Sequence, residues 1–359
     1  MKILIDIGHP AHVHYFKNFI WVMKEKGHII DIIARDKEVA FKLLDYYKFP
    51  YFNRGKGKNG FIGKFLYLIK ADLFVLRKAI KLKPDIYLSA GSMYAAHVAW
   101  ILRKPHIAFD DTDNNLFQQL FYVPFTTAIL TPKVFRKNFG KKHVRFNGFL
   151  ELNSLHPNRF KSNPENIKDI LDNTQNKPYV IFRFVSWAAT HDVGLKGLSL
   201  NDKLRLVKEL SAYANIIISS ESKLPEELQQ YAYSTHPAYI HDLLNCASLL
   251  ISESLTMSAE SAFIGTPTLC ISTADAGTLD EEVKLGLIEI FRTSNGLLER
   301  ALEIVKNNDY KNIFKSQSEK IVNKHIDLTA FTVWFVENFP SSLSTMQANP
   351  NYQYDSLSN

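Results

Sequence analysis

The chain is poor in cysteine. Two thiols, Cys246 and Cys270, stand among 359 residues, both inside apolar segments. No disulfide framework and no metal-ligand spacing can be built from them, so a reducing cytoplasmic setting is expected. Long hydrophobic runs are missing too: no apolar stretch reaches the length that spans a bilayer. The opening MKILIDIGHP reads as a strand rather than a secretory leader, because Asp6 interrupts its short apolar run. Charge of one sign is also limited. A net charge of +7 suits anionic small molecules or a membrane surface and is too weak to argue for nucleic acid. P-loop, zinc-protease and nucleophile-elbow motifs do not occur.

What is present is ample core material: 46% hydrophobic and 13% aromatic residues. At this length two domains are expected. Strand and helix patterns alternate almost throughout. Strands are predicted at Lys2–Ile7, Ile29–Ala34, Ile86–Ser89, His106–Phe109, Ala128–Thr131 and Val144–Phe146, with helices at Val13–Lys26, Glu38–Tyr47, Phe61–Leu82 and Tyr94–Leu102 between them. The polar stretch Pro157–Lys177 reads as a linker. A second series follows: strands Tyr179–Phe184, Asn215–Ser219, Ser248–Ser252 and Thr268–Ser272, with helices Asn201–Ala212, Pro225–Ala232 and Ile240–Asn245. The expected fold class is α/β: two Rossmann-like, doubly wound parallel sheets facing a central cleft. Residues 1–156 form the N-terminal domain and 178–316 the C-terminal one. A helix at Gln317–Asn338 returns to the first domain, and 340–359 is read as a disordered tail.

The most informative segment is ISESLTMSAESAFIGTP, Ile251–Pro267. It reads as strand, polar turn (Glu253, Ser254, Thr256) and helix, ending at Gly265. Such a unit aims free backbone N–H groups and a positive helix end above the sheet, which suits phosphate. Glu260 lies about one helical turn inside, where its carboxylate could accept bonds from sugar hydroxyls. An ordinary βαβ unit with a Ser/Thr cap is the plainer alternative.

Two such domains, a late glutamate after a Ser/Thr-rich turn and a following Gly-x-Pro resemble the GT-B superfamily. That group contains nucleotide-sugar glycosyltransferases and UDP-N-acetylglucosamine 2-epimerases. More narrowly, the chain resembles an uncharacterised bacterial and archaeal family within it. The residues carrying this likeness are DIGHPAHVHYFKN at the start, FDDTDNN at Phe109–Asn115, RFVSWAATHD at Arg183–Asp192, and SESLTMSAESAFIGTP. The resemblance covers most of residues 1–338. It implies that Glu260 binds ribose and that Ser254, Thr256, Met257 and Ser258 supply phosphate contacts. It also implies that the loop Val185–Asp192 approaches the diphosphate. Arg183 and His191 are candidates for charge contacts there, an arginine fork being suited to phosphate oxygens; a strand-end salt bridge and a solvated histidine are the alternatives. Glu221 joins the nucleotide-sugar candidates. No cofactor is implied.

In the first domain GHPAHVH places His9, His12 and His14 in the first strand–helix loop. His12, then His9, is the candidate general base for an acceptor hydroxyl, since an imidazole titrates near working pH. A helix cap with packing histidines is the alternative. A metal is not expected: His12 and His14 are two apart and no cysteine or acid follows nearby. Asp111 is a second base candidate, in the cluster Asp110-Asp111-Thr112-Asp113; an Asp/Thr helix cap is equally open. Gly8, Ser92 and Asp113 complete the acceptor-side candidates. The epimerases carry an Asp and a Glu where this chain has Gly91-Ser92 and Asp110–Asp113, so their acid set is incomplete here.

Glycosyl transfer from a nucleotide sugar, UDP in particular, to a glycan or lipid-linked acceptor of surface polysaccharide is the leading expectation. Epimerase or hydrolase chemistry and non-catalytic sugar-nucleotide binding are the alternatives. The segment Lys56–Lys83 mixes lysines with an apolar stripe. It suits either peripheral membrane contact, best carried by Lys56–Phe65, or a helix packed on the sheet.

Overall fold

The computed structural model describes residues 1–58, 60–174, 177–185, 197–233 and 235–355. The chain divides into two compact units: Met1–Ser154 joined by the segment from His325 onward, and Leu155–Lys324.

In the first unit the apolar runs become seven strands: β1 (Lys2–Ile7), β2 (Ile29–Ala34), β3 (Tyr51–Asn53), β4 (Ile86–Ala90), β5 (His106–Phe109), β6 (Ala128–Pro132) and β7 (His143–Phe146). They pair in parallel in the order β3-β2-β1-β4-β5-β6-β7, with Ile5 of β1 in register with Ile32 and Leu88. The connecting helices are α1 (Pro10–Glu25), α2 (Ala40–Tyr46), α3 (Phe61–Leu82), α4 (Met93–Ile101) and α5 (Leu116–Tyr122). From β1 to β3 the chain crosses the sheet one way; from β3 to β6 it crosses the other. Right-handed crossovers therefore put α3, α4 and α5 together on one face. The α3 helix buries Tyr67, Ala71, Val75 and Ala79, one residue per turn, and stops at Lys83 in a left-handed conformation before Pro84. Val75 and Ala79 pack with Leu4, Ile33, Tyr87 and Val98. In α4 the buried Ala95, Ala96 and Ala99 let the helix lie close to the sheet.

A single turn, α6 (Leu152–Leu155), carries the chain across the boundary. The second unit holds α7 (Lys168–Asn173), β8 (Tyr179–Phe184), α8 (Leu200–Ser211), β9 (Asn215–Ser220), α9 (Ile240–Cys246), β10 (Leu249–Ser252), α10 (Leu255–Ile264), β11 (Thr268–Ile271), α11 (Gly277–Lys284), β12 (Glu289–Phe291), α12 (Leu297–Lys306) and α13 (Tyr310–Val322). Its parallel sheet runs β12-β11-β10-β8-β9. Successive residues of β8 serve opposite faces: Val180, Phe182 and Phe184 enter one core, Tyr179 and Ile181 the other. In each sheet the winding direction reverses at one place, between β1 and β4 and between β8 and β10. In open parallel sheets the crevice at the carboxyl end of such a reversal is where ligands bind.

Several expectations need correction. Residues 157–177 are not a free linker, because Ile167 is buried in the second unit's core and Phe160, Ile170 and Leu171 pack against it. The division falls after Ser154, since Leu155 belongs to that same core. The helix expected at 317–338 is two helices. The first, α13, ends at Val322; α14 (Leu328–Glu337) restarts where Asp327 accepts the Ala330 N–H at 3.1 Å. The α14 helix packs on α1 in the first unit. The segment read as a disordered tail carries α15 (Ser341–Ala348) and α16 (Tyr352–Asp355). Met346 is buried, and Gln353 accepts the Asn147 N–H at 2.7 Å. Its polar composition hid these few anchoring contacts. Pro225–Ala232 holds only a 3-10 segment, Glu226–Tyr231, and the short edge strand β3 was too brief to show a period. Among the described residues no helix is long and apolar enough to cross a membrane.

One buried histidine gives the fold a pH dependence. His106 is fully enclosed, its Nε2 2.9 Å from Ser89 Oγ and its Nδ1 2.9 Å from Thr126 Oγ1. Burial pushes its pKa down to about 3. The unfolded chain therefore takes up this proton near pH 6.5 and the folded chain does not, so stability is lost as pH falls from about 6.5 toward 3. Below pH 6 this one group should cost roughly 1.4 kcal/mol per pH unit. Urea unfolding at pH 7, 5 and 4 should show a shallower decline in His106→Gln than in the native chain; identical slopes would remove His106 from the account.

Candidate functional site

In the first unit the candidate residues emerge from three neighbouring strands, β1, β4 and β5. His9 caps α1: its Nδ1 accepts the Ala11 N–H at 3.2 Å. His12 sits one turn later, half-buried, and its Nδ1 accepts the Gly8 N–H at 3.3 Å. That contact assigns Gly8 its part, presenting a backbone donor. In the neutral His12 ring the proton consequently lies on Nε2, which is a donor. Burial, then the positive charges of Lys37 and Arg54, push the His12 pKa down to about 3. His12 is therefore neutral near pH 7, and it acts as a base only by giving up Gly8. His14 is buried inside α1.

Ser92 caps α4, its Oγ accepting the Ala95 N–H at 3.3 Å and donating to Asp6 Oδ2. Asp6 is buried at the end of β1, with Oδ1 3.3 Å from Arg54 Nη2, and the Arg54 guanidinium lies 4.1 Å from the centre of the Tyr94 ring. Burial raises the Asp6 pKa against the pull of Arg54 and Ser92. Asp6 and Arg54 did not stand out in the chain as site residues. The signal available was an acid placed inside an otherwise apolar strand, ILIDIG.

The acidic cluster after β5 divides its labour. Asp110 is buried and accepts from Thr112 N–H at 2.9 Å, Gln119 Nε2 at 2.9 Å and Tyr122 Oη at 2.5 Å. Asp113, an acceptor-side candidate, is instead buried under the Arg136 N–H at 2.9 Å and anchors the loop. Asp111 differs. Half-buried, it accepts from Thr112 Oγ1 at 3.0 Å and from its own backbone N–H. Burial, then the neighbouring Asp110 charge, raises its pKa to about 6. The cluster does not cap α5 through an aspartate; Asn115 precedes that helix without a side-chain cap bond.

In the second unit the reversal between β8 and β10 is held by a residue the sequence offered only as part of a polar turn. Glu253 has a 1% exposed side chain. It accepts the Val185 N–H at 3.0 Å and the Leu198 N–H at 2.7 Å, and lies 3.1 Å from Lys203 Nζ. It thereby staples both described ends of the loop that follows β8. His191 and the rest of that loop through residue 196 lie outside the described residues. Arg183 donates to Ser219 Oγ at 2.9 Å and Glu221 Oε1 at 2.7 Å. Two nucleotide-sugar candidates are thus each other's partners, the strand-end salt bridge considered for Arg183.

The Ser254–Ser258 turn is mostly occupied by its own capping. Ser254 Oγ accepts the Met257 N–H at 3.3 Å, and Ser252 Oγ accepts the Ser254 N–H at 2.9 Å. Ser258 is turned inward rather than toward a ligand: it is fully buried and its Oγ donates to Ser254 O at 2.7 Å. The Met257 side chain is likewise diverted, packing against the Leu243–Leu250 core because it is apolar. Thr256 remains half-buried on the first turn of α10. Glu260 is buried, with Oε1 3.4 Å from Nε2 of His241 in α9. That helix-to-helix partner was not legible in the chain. Among the described residues no group of three or more His, Cys, Asp or Glu could hold a metal.

The chain belongs to a family described as a protein of unknown function, DUF354, whose model matches residues 1–327. An uncharacterized protein of Methanocaldococcus jannaschii is 22% identical over 280 residues, 75% of this chain and 81% of its own. The UDP-GlcNAc 2-epimerase of the same organism, solved with UDP-GlcNAc and UDP, superposes with a TM-score of 0.61 at 15% identity, covering 90% of this chain and 99% of that one. The glycosyltransferase VinC, solved with dTDP, gives 0.61 at 13% identity over 94% of this chain and 99% of its own. The shared fold is the GT-B type, two Rossmann-like domains.

The Glu253 staple is open to direct measurement. Glu253→Ala strands a buried Lys203 ammonium and two backbone donors, and should destabilise the second unit by about 2–4 kcal/mol. Urea unfolding that shows a loss under about 1 kcal/mol would mean that these contacts are replaced by water at little cost.

Proposed function

We propose that this DUF354 protein is a glycosyltransferase. It moves a sugar from a nucleotide donor, a UDP-sugar, to a hydroxyl of a glycan or lipid-linked acceptor, the chemistry of surface polysaccharide assembly. The observation that carries the reading is Asp111. It is a half-buried carboxylate at the carboxyl end of β5 whose pKa is raised to about 6, the range a general base needs near neutral pH. On this reading Asp111 takes the proton of the acceptor hydroxyl as its oxygen attacks the anomeric carbon. The bond from that carbon to the diphosphate breaks, and its electron pair leaves on the phosphate oxygen. His12, whose Nδ1 takes the Gly8 N–H and whose proton is therefore on Nε2, donates to an acceptor or sugar oxygen rather than serving as the base.

In the second unit the start of α10 supplies the positive helix end for the diphosphate. Arg183 contributes by exchanging Glu221 for phosphate oxygens. Glu260 accepts from the ribose hydroxyls. A second reading, nucleotide-sugar 2-epimerase or hydrolase, draws support from the epimerases that share the fold. It requires turnover of a UDP-sugar with no acceptor present.

Calorimetric titration with UDP, set beside GDP, CDP and dTDP, tests the donor site. UDP should bind saturably, and Glu260→Ala should weaken it by about tenfold, one or two hydrogen bonds to a charged group. Binding of none of the four by folded protein would sink the reading. For the chemical step, Asp111→Asn should lower kcat by roughly 100-fold or more while UDP affinity holds. Because the base works deprotonated, kcat/KM in the native enzyme should climb as pH rises through about 6 and then level off. A flat profile between pH 5 and 8 would take the base role from Asp111.

A further inference from the structure

The outer surface of the α3–α4–α5 layer is apolar where an ordinary helix layer is polar. Leu66, Ile69 and Leu73 of α3, Trp100 of α4, and Phe117 and Leu120 of α5 are each between 45% and 72% exposed. They do not arise from loose packing. Leu66, Ile69 and Leu73 follow one another at helical spacing, opposite the buried row Tyr67, Ala71, Val75 and Ala79. The three helices are latched side by side: His97 of α4 lies 2.9 Å from Asp72 Oδ2 of α3 and 2.8 Å from the Phe121 carbonyl of α5. Trp100 shares the His97 face of α4, three residues on, and rests edge-on against Phe125. The exposed apolar side chains therefore lie on three helices that are tied to one another, and patches of this kind mark partner or membrane sites.

The charge around it selects the partner. Lys70, Arg77 and Lys81 flank the stripe on α3, and Arg103 and Lys104 follow α4. None of these five makes an ion pair among the described residues. Between Phe61 and Lys104 the acids are Asp72 and Asp85. Asp72 is held by His97, and Asp85 accepts the Lys2 N–H at 2.8 Å. A second copy of this chain would meet the patch with the same basic rim, like charge facing like. An anionic bilayer offers the opposite charge together with an apolar interior for leucine, tryptophan and phenylalanine.

We propose that the exposed face of α3, α4 and α5 docks this protein on an anionic lipid bilayer, with the apolar side chains entering the headgroup boundary and the basic rim on the phosphates. The face differs from the sequence expectation, which favoured Lys56–Phe65 for membrane contact. It deepens the lipid-linked option of the proposed function by placing the protein at the acceptor's membrane. The inference is tested without nucleotide or acceptor, so its failure and that of the transferase reading are separable.

The experiment is co-sedimentation of the full chain with vesicles of equal parts phosphatidylglycerol and phosphatidylcholine, beside vesicles of phosphatidylcholine alone. Binding should require phosphatidylglycerol and weaken as salt is raised. Arg77→Gln and Arg103→Gln should each reduce partition roughly fivefold, and Leu120→Glu at least about tenfold. Thermal melting of each variant checks that the fold is kept; these side chains are exposed, so it should be. A Leu73→Glu change, on the neighbouring helix, repeats the test independently. No binding, equal binding to both vesicle types, or binding unchanged by Leu120→Glu and Leu73→Glu would overturn the proposal. So would a concentration-dependent dimer that Leu120→Glu disrupts, which would assign the face to a second copy.

Discussion

Parallel strand polarity is the constraint on which the rest of this structure depends. When every strand of a sheet points the same way, every strand-to-helix loop emerges at one edge and every helix dipole presents its positive end there. The chemistry-bearing residues gather at that edge because the topology leaves them nowhere else to emerge. Gly8–His12, Gly91–Ser92 and Asp110–Asp113 follow β1, β4 and β5, three neighbours in one sheet. Val185, Glu221 and Glu253–Ser254 follow β8, β9 and β10, three neighbours in the other.

Within that frame most of the candidate polar groups are spent on holding the edge in shape. Asp6 is locked to Arg54 and Ser92, Asp110 to Tyr122 and Gln119, Glu253 to two backbone donors and Lys203. Burying a charge is tolerable only when its bonds are made: Asp110 and Glu253 meet that demand, while Asp6 Oδ1 has the Arg54 guanidinium at 3.3 Å and no hydrogen bond of its own. Asp111 differs from them in being half-buried, and burial with the neighbouring Asp110 charge raises its pKa to about 6.

Exposed apolar surface follows a similar logic on the helical layer. Helices α3, α4 and α5 satisfy the sheet with small or periodic apolar residues on one side. Their other sides could have been polar at no cost to the core. About half or more of each leucine and of the tryptophan there is left uncovered by this unit, and the basic residues that rim them make no ion pair among the described residues.

The strand–helix alternation, the two-sheet class and the glutamate after a Ser/Thr-rich turn were legible in the sequence, because apolar period, Gly/Pro punctuation and caps are local properties. The binding roles of individual residues were less so. Arg183 and Glu221 looked like two independent ligands, and only the pairing of β8 with β9 brings them together. Ser258 looked available, and the pitch of α10 turns it inward. The Gly8 N–H that His12 Nδ1 accepts was likewise not visible in the chain. The segment after residue 340 looked disordered, since its few anchors, Met346 and Gln353, are scattered among polar residues. By itself the sequence determined which segments become strands and helices and that their loops share an edge. The tertiary structure decided which of the polar side chains on that edge are bound to one another and which remain to meet a ligand, because hydrogen-bond partners are set by distances between strands that lie far apart in the chain.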